Sequence, residues 1–170
     1  MPRRDLFTGR SGQLAVMAEF LHREMNVAIP EVDVGDDIVV IRDEHDMVTR
    51  VQVKTANAAE RRQPERFYAQ FSVPEAQLES GPTDLVYALV VRRHDRWEEF
   101  VVIRRSVLWR LRIDHNVGSL NNRGKRTLGL TFTTDDVRNK GVSFQPFRRR
   151  FQPWPPPDEI PEGVAPPANH

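Results

Sequence analysis

Between Asp37 and Ala56 the chain spells two runs of β-branched residues around one polar turn, and a β-hairpin is the simplest structure that fits. Ile38-Val39-Val40-Ile41 is continuously apolar, and Asp43-Glu44-His45-Asp46 has turn chemistry. Val48 to Thr55 then returns with β-branched residues alternating with polar ones. A turn centred on Glu44 and His45 sets Asp37 opposite Gln52, and directly opposed residues project from one face. Lys54, two positions beyond Gln52, returns to that face while Val51 and Val53 point to the other. One sheet face therefore gathers a carboxylate, an amide and an ammonium. A slip of one residue would undo the Asp37–Gln52 pairing, so the inference depends on the turn.

Around the hairpin the pattern alternates between periods. Ser11 is positioned to cap a helix from Gly12 to Met25, whose stripe Leu14, Met17, Ala18, Leu21 and Met25 recurs at helical spacing and is expected to face the core. A short extended piece follows at Val27 to Ile29. Strands are expected at Phe67 to Ser72, Leu85 to Arg92, Glu99 to Ile103 and Thr127 to Phe132, with an amphipathic helix at Ser106 to Ile113. One helix, a run of strands, then a helix and a strand imply an α/β or α+β domain with a mixed sheet. The 170 residues, 39% hydrophobic, suit one such domain. Residues 151–170 depart from the rest. They hold seven of the thirteen prolines and no lysine or arginine, so residues 1–150 are read as the domain and 151–170 as an extended proline-rich tail.

Composition removes several chemistries. Without cysteine there is no disulfide scaffold, thiol nucleophile or thiolate-held zinc, which agrees with a reducing, cytoplasmic address. No apolar run approaches the roughly 20 residues that span a bilayer, and the start lacks the apolar stretch of a signal peptide. Five histidines show no HxH or HExxH spacing, and Gly9 and Gly12 lack the ending and the preceding strand of a phosphate loop. With 25 basic against 24 acidic residues, any surface for a polyanion must be local. Two arginine clusters are candidates. Arg104, Arg105, Arg110 and Arg112 flank Trp109, and Arg148, Arg149 and Arg150 adjoin Phe147 and Phe151; arginine beside aromatic rings suits phosphate tracking, although a solvated helix face and a tail junction give the same pattern.

Asp37 before the strand IVVI, Gln52-Val53-Lys54 in RVQVKTA and the helix opening GRSGQLA together resemble the PD-(D/E)XK nuclease superfamily, in the branch whose second motif reads QxK. The resemblance runs from about Gly9 to Ala56, with weaker similarity through FYAQFSVPEAQL and DLVYALVV. It implies a restriction-endonuclease-like αβββαβ core with a central mixed sheet, a divalent metal, Mg²⁺ or Mn²⁺, and hydrolysis of phosphodiester bonds in DNA. Hard cations take oxygen ligands. Asp37 would supply a charged one, and the Gln52 side-chain carbonyl and Val53 backbone carbonyl neutral ones. Lys54 would be the catalytic lysine, orienting the attacking water and stabilising transition-state charge. In the first helix Gln13 occupies the place where many relatives have glutamate, and it is the auxiliary site residue; Glu19 falls on the solvent side of the expected stripe. Cutting both strands of a duplex with one site per chain would call for a homodimer.

Two other readings stand beside this one. With Gln13 and Gln52 in place of acids, the same fold could be a non-cutting module that binds nucleic acid or protein, unless Asp33 or Asp36 adds charge to the site. Alternatively, Trp154-Pro155-Pro156-Pro157 could engage a partner as a proline-rich ligand.

Overall fold

The computed structural model describes residues 3–31, 36–42, 47–61 and 65–164. The expected turn residues Asp43 to Asp46 and Asp33 lie outside these. Helix α1 (Arg3–Leu21) leads into β1 (Asn26–Ala28), β2 (Ile38–Arg42), β3 (Met47–Asn57), β4 (Ala59–Glu60) and β5 (Phe67–Pro74). Then come α2 (Glu75–Ser80), β6 (Val86–Arg93), β7 (Arg96–Arg104), α3 (Arg105–His115), β8 (Ser119–Leu120), β9 (Lys125–Phe132), β10 (Val137–Asn139) and β11 (Val142–Ser143). A mixed sheet in the order β1-β2-β3-β6-β7 carries the hairpin at its centre. A second sheet, β11-β10-β9-β5-β4, packs beside it, with β8 also paired to β9. The protein is thus a mixed α+β fold built around a mixed sheet and helices.

The hairpin register is the one that the turn requires. β2 and β3 are antiparallel, with Ile38 facing Val51 and Arg42 facing Met47. On its other edge β3 runs parallel to β6, Gln52 beside Tyr87 and Lys54 beside Leu89. Alternation along β3 gives the sheet two covered faces. Val51 and Val53 look toward α1, and Gln52, Lys54 and Ala56 look toward the second sheet and α2. β6 is buried from Val86 to Val91 and carries arginine only at its last two positions, as a strand covered on both faces should.

Helix α1 departs from the sequence reading in its start and in its face. It begins at Arg3, and Ser11 lies inside it, donating its hydroxyl to the Thr8 carbonyl at 3.1 Å rather than capping. Leu14 and Leu21 are 50% and 56% exposed, whereas Val16 and Phe20 are fully buried beside Gly12 and Gln13. The reason is steric. A Cβ on Gly12 would lie 2.3 Å from Thr55 Cγ2, so this glycine allows the helix to sit directly on β3.

The Phe20 ring finds its partners at the far end of the chain. Phe151 meets it edge-on with centroids 5.2 Å apart, and Trp154 at 4.5 Å. The segment from Phe151 to Val164 forms no helix or strand, yet Phe151, Trp154 and Val164 are buried in the two cores. It runs through bends and a turn, and its buried residues pack it onto the domain. With Trp154 buried, the Trp-Pro-Pro-Pro run does not present its aromatic anchor to a partner.

Candidate functional site

The site forms where β3 outruns β2. In a strand the N–H and C=O of one residue point to the same neighbour. β2 begins at Ile38 opposite Val51, so the polar groups of Val53 face an edge that β2 has not yet reached. Asp37 covers that edge with its side chain. Its Oδ2 accepts the Val53 N–H at 2.7 Å and also accepts a hydrogen bond from Gln52 Nε2. The Asp37 main chain is fixed as well, its N–H donating to the Val51 carbonyl at 3.0 Å. A carboxylate accepting several N–H bonds is held in one orientation at little desolvation cost.

Two layers of amides flank this carboxylate. From the α1 side, Gln13 Nε2 donates to the Asp37 backbone carbonyl, and Arg10 Nη1 donates to Gln13 Oε1 at 2.6 Å. From the other side, α2 supplies Gln77, whose Nε2 donates to Gln52 Oε1 at 3.2 Å. The Tyr87 hydroxyl donates to Gln77 Oε1 at 3.1 Å. Tyr87 is fully buried; burial pushes its ionisation well above the ordinary phenol range, and nearby Arg105 only partly offsets this. The hydroxyl therefore stays protonated and remains a donor at physiological pH.

Of the residues singled out from the sequence, Asp37, Gln52 and Val53 meet through direct hydrogen bonds, and Gln13 joins them through the Asp37 main chain rather than its carboxylate. Lys54 lies on the Gln52 face of β3, half-buried, one alternation further along. Asp36 is buried next to Asp37 in sequence. Arg10, Gln77 and Tyr87 escaped the sequence reading because no spacing ties them to the hairpin. Tyr87 had one usable signal. A tyrosine inside the apolar run Leu85 to Val91 must find a partner for its hydroxyl once buried.

Six of the seven arginines in the two clusters are engaged within the fold. Buried Arg105 donates to the Leu78 carbonyl at 2.7 Å and the Pro82 carbonyl at 3.0 Å, closing the C-terminal end of α2. Arg112 reaches Glu75 at 3.1 Å and lies over the Trp109 ring. Arg104 holds the Pro156 carbonyl, Arg110 holds Asp158, and Arg148 bonds Glu99 at 2.9 Å. Arg149 lies over Phe100 and donates to the Glu98 carbonyl. Arginine beside aromatics here ties the C-terminal segment and the short helix to the domain.

No group of three or more histidine, cysteine or acidic side chains able to hold a metal occurs among the described residues. The oxygen donors at hand are the Asp37 carboxylate, the Gln52 amide oxygen and the Val53 carbonyl, of the hard type that Mg²⁺ and Mn²⁺ take. In the present arrangement Gln52 turns its N–H₂, not its oxygen, toward Asp37. A hollow of about 430 Å³ lined by Arg23, Arg42 and Trp154 lies elsewhere, on the α1 side of the sheet. Among the described residues, no helix is long and apolar enough to cross a membrane.

No protein-family model matches the chain, and no curated protein sequence does. Among solved structures, the chain is similar to a bacterial homing endonuclease, I-Ssp6803I, with 17% identity over 84% of each chain and a TM-score of 0.48.

Proposed function

We propose that the chain is a metal-dependent DNA endonuclease whose site is centred on Asp37. One observation carries the reading: the Asp37 carboxylate is fixed at the unpaired edge of β3 by Val53 and Gln52, with Lys54 one alternation away on the Gln52 face. Asp37 is the charged ligand, and Gln52 and the Val53 carbonyl are the neutral ones. When bound, Mg²⁺ or Mn²⁺ would act as a Lewis acid on the scissile phosphate. The Lys54 ammonium orients the attacking water and stabilises charge that develops on the phosphoryl oxygens. Gln13 steadies the main chain of Asp37 and, through Arg10, ties that position to α1. Two copies would serve a double-strand cut in the cytoplasm, one strand per site.

Incubation with supercoiled, linear, branched and single-stranded DNA in Mg²⁺ or Mn²⁺ tests the proposal. Nicking by the wild type, abolished by Asp37→Ala and by Lys54→Ala in proteins that remain folded, is the expected result. A folded wild type that leaves every DNA form intact would remove it. A second reading has its own observation: a single carboxylate already satisfied by two N–H donors is what a non-cutting binding module would retain. DNA binding unchanged by Lys54→Ala and by chelator would favour that module.

A further inference from the structure

The Gln52 amide has a direction, and a line of hydrogen bonds behind it sets that direction. Tyr87 stands beside Gln52 in the parallel register of β3 and β6. Its hydroxyl makes one hydrogen bond among the described residues, donated to Gln77 Oε1 at 3.1 Å. An amide that accepts with its oxygen at one end must donate with its nitrogen at the other. Gln77 accordingly directs Nε2 at Gln52 Oε1, 3.2 Å away, and Gln52 in turn directs Nε2 at Asp37. All three links run donor to acceptor in one sense, from the phenol to the carboxylate.

Running the line backwards has a cost that falls on Tyr87. Gln77 Nε2 would then donate to the phenol oxygen, and the phenol proton would lose its acceptor in a fully buried position. The buried hydroxyl therefore biases an amide two hydrogen bonds away. We propose that Tyr87, acting through Gln77, positions the Gln52 amide as a donor to Asp37, and that a divalent cation gains the Gln52 carbonyl oxygen only when this relay reverses. The cation half of this inference rests on the endonuclease reading of the same site. Tyr87 and Gln77 are positioning residues, acting on the site through Gln52.

Side-chain amide NMR of the full ¹⁵N-labelled chain reads the relay without any metal. The Gln52 N–H₂ signal is identified by its loss in Gln52→Leu, and in the wild type it should shift on Asp37→Ala. Ionised glutamate at position 77 offers acceptors only, so at neutral pH Gln77→Glu should draw both the Tyr87 O–H and the Gln52 N–H₂ to itself. In that background the Gln52 signal should no longer respond to Asp37→Ala. Calorimetry with Mn²⁺ reads the cation half. Tyr87→Phe removes the bias and should tighten Mn²⁺ binding roughly two- to tenfold, the worth of one neutral hydrogen bond. Mere loosening of the core would weaken binding instead. A Gln52 signal that still tracks Asp37 in folded Gln77→Glu would overturn the relay. Where the wild type binds Mn²⁺, binding that is unchanged or weaker in Tyr87→Phe would overturn it as well. An amide that turns in Gln77→Glu while no variant binds Mn²⁺ would support the relay and remove the metal reading.

Discussion

The two faces of the five-stranded sheet are covered by different chemistry, although both rest on β3. On the α1 face Val51, Val53, Ala88 and Val90 meet Val16, Phe20, Phe151 and Trp154 in a dry cluster of apolar and aromatic side chains. On the opposite face a line of polar groups, Asp37, Gln52, Gln77 and Tyr87, enters a core otherwise made of residues such as Leu89, Phe71 and Ile103. A dry face is stabilised by area and fit, so a deletion costs in proportion to the volume removed. In a polar line each group satisfies the next, so the loss of one strands another. The dry face therefore anchors the sheet, and the polar face fixes orientation where the candidate chemistry lies.

The strongest way to break this contrast is to remove the far cover of the dry face. Truncation after Arg150 deletes the buried Phe151 and Trp154 from that face, together with buried Val164 of the opposite core. Large aromatic deletions cost about 3–5 kcal/mol each, and a domain's whole stability is about 5–15 kcal/mol. The truncated chain should show no cooperative unfolding transition in urea. A native-like transition would mean that the C-terminal segment is dispensable and the dry face complete without it. Phe20→Ala, in the full chain, should cost about 3–5 kcal/mol in the same assay.

Gly12→Ala tests the fit rather than the volume. The new methyl would collide with Thr55 Cγ2, and overpacking of this kind costs about 1–3 kcal/mol. Thr55→Ser removes that methyl, so the double variant should recover much of the loss. No recovery would point to Trp97, 3.1 Å from the same position, as the harder obstacle.

Charge adds a smaller effect on the polar side. Glu75, which opens α2 ahead of Gln77, bonds Arg126 at 2.7 and 2.9 Å and Arg112 at 3.1 Å. The Arg126 hydrogen bonds hold its carboxyl below the ordinary value of 4.5, outweighing the opposing effect of partial burial. A carboxylate with a depressed folded pKa contributes its stability in full above the unfolded value and loses it as pH falls through the folded one. Glu75→Gln should therefore cost about 1–2 kcal/mol at pH 7. The gap from wild type should narrow steadily as pH drops below 4.5. A gap of equal size at pH 7 and pH 3 would show that shape, not charge, is what Glu75 contributes.

What the sequence disclosed follows from the range of the interactions involved. The β2–β3 register was legible because a short turn and β-branched alternation are local and fix which residues oppose. The meeting of Asp37 with Gln52 followed from it. The long strands β5, β6, β7 and β9 were legible for the same reason, while α2, β4, β8, β10 and β11, six residues or fewer, carry too little pattern to register. Gln77 and Tyr87 were hidden because they reach Gln52 across separate elements. The docking of residues 151–164 was hidden because a proline-rich composition says how a segment runs, not where its aromatic residues lodge.

The face of α1 is the sharpest case, and its test has the smallest expected effect. Periodicity favoured the stripe through Leu14 and Leu21, which is the more apolar one, yet the helix buries Gly12, Gln13, Val16 and Phe20. The choice is made by partners remote in sequence: Thr55 and Trp97 beside Gly12, Asp37 beside Gln13, and Phe151 and Trp154 around Phe20. Leu14→Gln consequently removes an exposed side chain that is no part of either core and should change stability by no more than about 0.5 kcal/mol. Urea denaturation of Leu14→Gln beside Phe20→Ala makes the comparison on one helix. A cost for Leu14→Gln approaching that of Phe20→Ala would mean that the exposed stripe is covered in solution, and that α1 has two buried faces rather than one.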